Sequence, residues 1–81
     1  MDKLITTIEK NAREEIQVSL SNFKGHDLLG IRVFAETDNG DKVPTKKGIT
    51  CNVKLIPGLL SALKEAEQIA IAEGLIHEEK T

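Results

Sequence analysis

Two consecutive stretches of the chain alternate apolar and polar side chains with a period of two. The apolar members of the first stretch are Ile16, Val18 and Leu20. Those of the second stretch are Leu29, Ile31, Val33 and Ala35. Such alternation is typical of antiparallel strands that place one face in a core and the other in solvent. An antiparallel sheet is therefore the framework to which the rest of the chain must attach.

Turn-forming residues bound these strands and separate them from two shorter ones. Residues 22–27 supply the first turn, and the Asn-Gly pair at 39–40 suits the positive φ angles of a tight hairpin. A short third strand over 42–43 is limited by Pro44, which cannot donate a ladder hydrogen bond. Residues 49–53 alternate again and predict a fourth strand.

Both ends of the chain show helical spacing. Residues 1–14 carry apolar side chains three and four positions apart, which predicts a short helical or frayed arm. A longer helix is predicted to start between Lys54 and Pro57 and to end at Glu73, with Gly74 as its C-cap. Its apolar residues cover more than one face, so it needs a second packing surface besides the sheet. A partner helix is the simplest such surface.

Composition supports a small domain that gains from a second subunit. The 81 residues include two Phe and neither Trp nor Tyr, so one copy has little core to bury. A single cysteine excludes an intramolecular disulfide and a multi-cysteine zinc site. No apolar run reaches membrane-spanning length and no signal-peptide stretch opens the sequence, so we expect a cytoplasmic protein without membrane contact.

Charge is unevenly distributed along the chain. Residues 22–64 hold seven Lys or Arg against four acids, whereas the chain from Glu65 onward holds five Glu and one Lys. The net charge of −2 therefore conceals a mildly basic centre. We divide the chain into an arm (1–14), a central domain (15–74) and an acidic tail (75–81).

No catalytic or metal-binding constellation is visible in the sequence. His26 and His77 are far apart, and the lone Cys51 alternates with aliphatic residues as a buried thiol would. The glycines match no phosphate-cradling spacing. We therefore expect neither an enzyme nor a bound cofactor.

Aromatic and basic residues coincide on the polar sides of the two strands. Phe23 and Phe34 both fall opposite the aliphatic sets, and Lys24 and Arg32 lie close to them in sequence. Aromatic faces that stack bases, combined with cations that track phosphates, are typical of proteins that bind single-stranded nucleic acid. Periodicity alone leaves open a second interpretation, in which Phe34 packs in the core under the helix.

The order of these motifs resembles the positive cofactor four family of transcriptional coactivators, over about residues 15–66. The similar segments are Asn22–Gly25, Leu29–Arg32, Gly40, Pro44, Lys46–Thr50 and Leu55–Leu63. The resemblance implies an α+β fold, with a curved four-stranded antiparallel sheet followed by a C-terminal helix and a homodimer formed through the helices. The helix residues expected at that interface are Ile56, Leu59, Leu60, Leu63, Ala66 and Ala70.

The same resemblance implies non-catalytic binding of single-stranded DNA with little sequence specificity, in transcription regulation or DNA repair, with transcription or repair proteins as further partners. The residues expected to bind nucleic acid are Phe23, Lys24, Arg32, Phe34, Lys42, Lys46, Lys47 and Gly48. The serine-rich tail of eukaryotic members is absent, which favours a bacterial or phage-type protein. DNA is preferred over RNA only through the resemblance.

Some positions depart from the family pattern. Ala35 stands where the family places a second stacking aromatic, and Val43 stands at a basic position. These departures, together with the acidic net charge, keep open an alternative function. In that alternative the chain is a protein-interaction or scaffold dimer of the same fold, with weak or lost DNA affinity.

Overall fold

A computed structural model describes residues 2–77 of the chain. The elements, in chain order, are β1 (Lys3–Glu9), β2 (Glu14–Phe23), β3 (His26–Glu36), β4 (Lys42–Asn52), a 3-10 turn (Val53–Leu55) and α1 (Ile56–Ala72). The strands form one antiparallel sheet in the order β1-β2-β3-β4. The predicted architecture, a four-stranded antiparallel sheet followed by a C-terminal helix, is confirmed. Met1 and residues 78–81, which include most of the predicted acidic tail, lie outside the described residues.

The four strands are not the four that the sequence predicted. The helical or frayed arm predicted at the N-terminus is wrong for residues 3–9, which pair with β2 as an edge strand. A register shift between Leu4 and Thr6 interrupts the alternation of β1, so its apolar residues lack the period of two. The predicted third and fourth strands are one continuous strand, β4, which passes through a bulge after Pro44.

The two predicted turns connect the strands as tight hairpins. Lys24 (φ 52°) and Gly25 (φ 81°) both have positive φ, which is the conformation of a two-residue type I′ turn between β2 and β3. Between β3 and β4, Gly40 has a φ of 86°, and the backbone of Thr37 closes the loop by donating to Asp41 at 2.8 Å.

The register separates the sheet into two chemically different faces. Residues that pair across strands share a face, and one face, here called the apolar face, carries Ile16, Val18, Leu20, Leu29, Ile31, Val33, Ile49 and Cys51. The opposite face, here called the polar face, carries Glu15, Gln17, Ser19, Ser21, Phe23, Gly30, Arg32, Phe34 and Thr50.

The helix begins against the apolar face. Val53 and Ile56 line a groove together with Leu20 of that face. Leu29 is the one buried apolar residue in the described part of the chain, at 8% exposure. The polar face is therefore left without a helix over it.

Helix α1 ends where the sequence predicts. The backbone of Gly74 (φ 72°) donates to Ile71, and that of Leu75 donates to Ala70, which is a Schellman motif. Much of the apolar surface of the helix stays exposed: Leu60 by 57%, Leu63 by 62% and Ile69 by 55%. No helix among residues 2–77 is long and apolar enough to cross a membrane.

Candidate nucleic-acid interface

The hairpin between β2 and β3 presents an exposed aromatic ring with a cation beside it. Phe23 is 61% exposed, and the Lys24 ammonium lies 5.3 Å from the centroid of its ring. This hairpin requires positive φ at Lys24, so the turn geometry fixes the direction of the Lys24 Cα–Cβ bond. Because an exposed ring gains little from the protein itself, Phe23 is available to stack on a planar ligand.

Arg32 occupies the middle of the polar face and is held there by neutral acceptors. Its Nη1 donates to the backbone oxygen of Thr45 at 3.0 Å, and its Nη2 lies 3.3 Å from the hydroxyl of Thr50. No carboxylate in residues 2–77 lies within ion-pair distance of the guanidinium. The arginine is thus oriented while its positive charge remains without a counterion from the described residues.

A bulge in β4 carries two lysines close to Arg32. Arg32 pairs with Gly48 and Phe34 pairs with Pro44, so Thr45, Lys46 and Lys47 together oppose Val33 alone. These three residues are here called the β4 bulge. Its conformation is fixed by Thr45, whose hydroxyl donates to the Val33 backbone oxygen at 2.8 Å and accepts from the Lys47 backbone N–H at 3.2 Å. The bulge forms because these side-chain bonds replace the missing ladder bonds.

Gly48 closes the bulge at a point where the two strands touch. Its φ is 147°, and a Cβ added there would lie 2.7 Å from the Arg32 Cα and against the Ile31 backbone oxygen. Only glycine allows this approach. Gly48 thereby sets the position of Arg32 relative to the lysines of the bulge.

Three basic residues differ in how far they are already neutralised. Lys42 Nζ lies 3.1 Å from Glu15 Oε1, whereas Lys47 Nζ, on a side chain that is 70% exposed, lies 4.0 Å from Glu14 Oε2. Lys46 has no ion pair with any residue in the described range. Lys46 is therefore the more available of these cations for a phosphate.

Hydrogen bonds to the two carboxylates hold them in the ionised form. The pKa of Glu15 is lowered by hydrogen bonds from the Gln17 amide and from Lys42. The pKa of Glu14 is lowered by hydrogen bonds from the Asn11 amide and then from Lys10. Both side chains are about four-fifths buried, at 22% exposure for Glu14 and 19% for Glu15.

Phe34 lies on the same face as Phe23 but at the other end of the sheet. It is eight residues along β3 from His26, the register partner of Phe23, which corresponds to roughly 26 Å at about 3.3 Å per residue. Its register neighbours are Glu15 and Pro44, and it is half-buried. Strand alternation places Ala35, the residue at the family's second aromatic position, on the opposite face.

The sequence-predicted residues therefore fall into two groups. Phe23 and Lys24 lie at the hairpin tip, whereas the others lie at the far half of the sheet: Arg32, Phe34, Lys42, Lys46, Lys47 and Gly48. Sequence reasoning missed Thr45 and Thr50, which orient Arg32, and it did not single out Glu14 and Glu15. The threonines carry no signal in the sequence because their role depends on the bulge.

The residues predicted for the helix interface are also only partly brought together. Leu60, Leu63, Ala66 and Ala70 line one shallow groove with Ile76, whereas Ile56 faces the sheet. Among residues 2–77, no three His, Cys, Asp or Glu side chains are arranged to hold a metal ion.

An open antiparallel sheet with a C-terminal helix and a basic, aromatic polar face defines a small nucleic-acid-binding type of domain. The family model described as transcriptional coactivator p15 (PC4) matches residues 10–65. The chain therefore belongs to the PC4 family of DNA-binding transcriptional coactivators, as the resemblance in its motifs predicted.

Solved structures of relatives have the same fold. A PC4 homologue from Burkholderia pseudomallei, in its orthorhombic crystal form, is 28% identical with a TM-score of 0.75, covering 80% of this chain and 88% of that one. Its tetragonal form is 27% identical with a TM-score of 0.76, covering 83% and 98%. The bacteriophage T5 homologue of PC4 is 23% identical with a TM-score of 0.68, covering 91% and 88%, and shares the fold. Comparison with curated proteins finds no significant match.

Proposed function

We propose that this chain binds single-stranded DNA on its polar face, without catalysis and with little sequence specificity. The observation that carries the proposal is that the face free of the helix holds an exposed aromatic hairpin and an arginine with no carboxylate partner among residues 2–77, next to the two lysines of the β4 bulge. Aromatic stacking and phosphate contacts are the two interactions that single-strand binders combine.

The preference for single strands follows from the exposure of Phe23. An exposed ring stacks on a base only if that base is itself unstacked on one side, and duplex DNA offers such a face only at its ends. Stacking on Phe23 and phosphate contacts carry little sequence information, so the binding is led by stacking and backbone contacts. Such a protein holds melted DNA, which is a task required in transcription regulation and in repair.

The homodimer is part of the same proposal. The exposed leucines of α1 and the groove lined by Leu60, Leu63 and Ala70 form an apolar surface that the sheet of the same chain does not cover. A second copy that packs its helix there buries these side chains and supplies the core that one chain lacks. The dimer also doubles the number of polar faces, so one strand can be bound at two places.

The first experiment is a fluorescence anisotropy titration of labelled oligo-dT of about twenty nucleotides, at several salt concentrations, which spans one or more sites of the size that such folds occupy. Unlabelled duplex and oligo-U serve as competitors. The proposal requires salt-dependent binding for which duplex competes poorly, and the oligo-U arm decides between DNA and RNA.

The matched variants are Phe23→Ala and Phe23→Trp. Loss of one stacking ring should weaken binding by about 1–3 kcal/mol, or roughly 5- to 150-fold, with little change in the salt slope. Phe23→Trp keeps a stacking surface and should bind at least as tightly as the parent. Equal binding by a folded Phe23→Ala variant contradicts the stacking role.

A protein-interaction dimer is the second candidate. The observations that favour it are the pairing of Lys42 with Glu15 and the aliphatic residue at position 35. Oligo-dT that fails to bind at the lowest salt, while the protein remains a folded dimer, selects this candidate over DNA binding.

A further inference from the structure

Two carboxylates of β2 lie next to lysines of β4. Glu15 contacts the Lys42 ammonium at 3.1 Å, and Glu14 lies 4.0 Å from the Lys47 ammonium. Both lysines come from β4, two strands away, so each pair spans β3. Glu15 pairs with Phe34 on the polar face, whereas Glu14 pairs with Ala35 on the apolar face. The proposed interface therefore carries an anion of its own, Glu15, at the end of the sheet away from the Phe23 hairpin.

These carboxylates are positioned by groups other than the two lysines. Gln17 Nε2 donates to Glu15 Oε2 at 2.7 Å and leaves Oε1 for Lys42. Asn11 Nδ2 and Lys10 Nζ donate to Glu14 Oε1 at 2.9 and 3.1 Å, which leaves Oε2 toward Lys47. Hydrogen bonds to one oxygen thus orient each carboxylate, and its other oxygen faces a lysine. That second oxygen takes the place that a phosphate oxygen would occupy beside the lysine.

We propose that Glu15 competes with the phosphates of a bound strand for Lys42, and so weakens and limits binding at this end of the polar face. The proposal rests on the proposed function. A phosphate that takes Lys42 must displace a carboxylate that is already bonded, and the freed carboxylate then takes up a cation from solution. Uptake of that cation offsets part of the counterion release that drives binding.

The consequence is an asymmetric interface. At the hairpin end, with Phe23 and Lys24, DNA binding breaks no ion pair of the described part of the chain. At the far end, a phosphate can bind Lys42 only by replacing the carboxylate of Glu15. Arg32 and Lys46, which have no such competitor among residues 2–77, lie between the two. Short oligonucleotides are therefore expected to occupy the hairpin end first.

The test is Glu15→Gln in the anisotropy titration, with Glu65→Gln as the control. Glu65 lies on α1, forms no ion pair within residues 2–77, and its replacement removes the same one negative charge. We expect Glu15→Gln to bind about two- to fivefold more tightly than the control, as expected for release of one exposed ion pair. Its salt slope should be steeper by up to about 0.7, because no carboxylate takes up a cation.

A double-mutant cycle separates competition from a general change in charge. In a Lys42→Gln background, Glu15→Gln should lose most of its effect, since the competed cation is gone. Persistence of the full effect in that background overturns the proposal. Glu15→Gln that binds no more tightly than Glu65→Gln also overturns it, while binding by the parent protein leaves the proposed function intact.

Two further results keep failures of the two proposals apart. If the parent fails to bind oligo-dT but Glu15→Gln binds, competition is supported in its strong form; if neither binds, the proposed function and this inference both fail. If Glu15→Gln does not fold, NMR titration of the Glu15 carboxyl in the parent protein replaces it. Saturation with oligo-dT should raise the pKa of Glu15 as Lys42 leaves, with Glu9 and Glu14 as its acidic neighbours, and an unchanged value overturns the inference.

Discussion

Replacement of Gly48 by alanine tests whether the β4 bulge and Arg32 form one unit. The backbone of Gly48 has a φ of 147°, and the added methyl carbon would meet the Ile31 backbone oxygen, the Arg32 Cα at 2.7 Å and the Arg32 Cβ at 3.2 Å. Two of these three atoms belong to the backbone and cannot swing aside. The strands must therefore separate at the residue that bears the guanidinium.

The cost has two parts. A residue held in a sparsely populated φ region loses about 1–3 kcal/mol. Overpacking against neighbours that cannot move adds a further 1–3 kcal/mol or so. A loss of at least about 2 kcal/mol is therefore expected, which lowers the melting temperature of a domain of this size by roughly 8–16 °C.

Two other glycines provide controls that separate these parts. Gly40 has a φ of 86° with no atom within 4 Å of an added Cβ, so Gly40→Ala should cost only the backbone term of about 1–2 kcal/mol. Gly58 lies in the first turn of α1 with open space around it, so Gly58→Ala should stabilise the protein by about 0.4–1 kcal/mol.

The assay is urea unfolding followed by far-ultraviolet circular dichroism, at one protein concentration because a dimer's stability depends on it. Anisotropy with oligo-dT then compares binding by the folded variants at equal salt. The reasoning predicts the stability order Gly58→Ala, parent, Gly40→Ala, Gly48→Ala, with weakened DNA binding only in Gly48→Ala. A Gly48→Ala variant as stable as Gly40→Ala would refute the close approach, and one that is destabilised but binds normally would refute the coupling to Arg32.

Three further predictions address charge and assembly. Lys46→Ala should reduce the slope of log affinity against log salt by about 0.7, as expected for one phosphate contact on a single strand; an unchanged slope excludes Lys46 from the path. Leu63→Glu should convert the proposed dimer into a monomer or unfold it by light scattering, whereas Ser61→Glu, which adds the same charge off the apolar stripe, should leave the dimer intact. Glu14→Gln should lower the melting temperature at neutral pH and not in strong acid. The pKa of Glu14 is lowered from 4.5, chiefly by the Asn11 hydrogen bond, so its stabilisation is present above that value and is lost as the pH falls through the lowered one.

The strands that alternate strictly were predictable, and those interrupted by bulges were not. Strands β2 and β3 pair without a register shift, from the pair Glu14–Ala35 to the pair Phe23–His26. The period of two in their apolar residues is therefore visible in the sequence. Strand β1 shifts register between Leu4 and Thr6, and β4 shifts opposite Val33. The shift in β1 moves later side chains to the other face, and the extra residues of the β4 bulge interrupt the alternation of that strand. Periodicity therefore indicates a helix in the first case and two short strands in the second.

The candidate site shows the same division. Phe23, Arg32 and Phe34 could be assigned to one face because they lie on the regular strands, and the register confirms that assignment. The partners of these residues could not be assigned. The contact of Arg32 with Thr45 depends on the bulge, and that of Lys42 with Glu15 joins residues 27 positions apart. Such pairs follow from strand order and register, which alternation alone does not determine.

The distribution of burial links the two halves of the proposed function. Leu29 alone is buried among residues 2–77, so the described chain shields neither face of its own sheet completely. The helix covers only part of the apolar face and exposes leucines of its own. Packing against a second copy would bury this apolar surface. The polar face exposes less apolar surface, and its exposed ring and cations suit a negatively charged ligand with planar groups. Under the proposed function, one sheet serves assembly on one side and DNA binding on the other. A variant that disrupts α1 should then weaken DNA binding through loss of the dimer rather than through loss of contacts on the polar face.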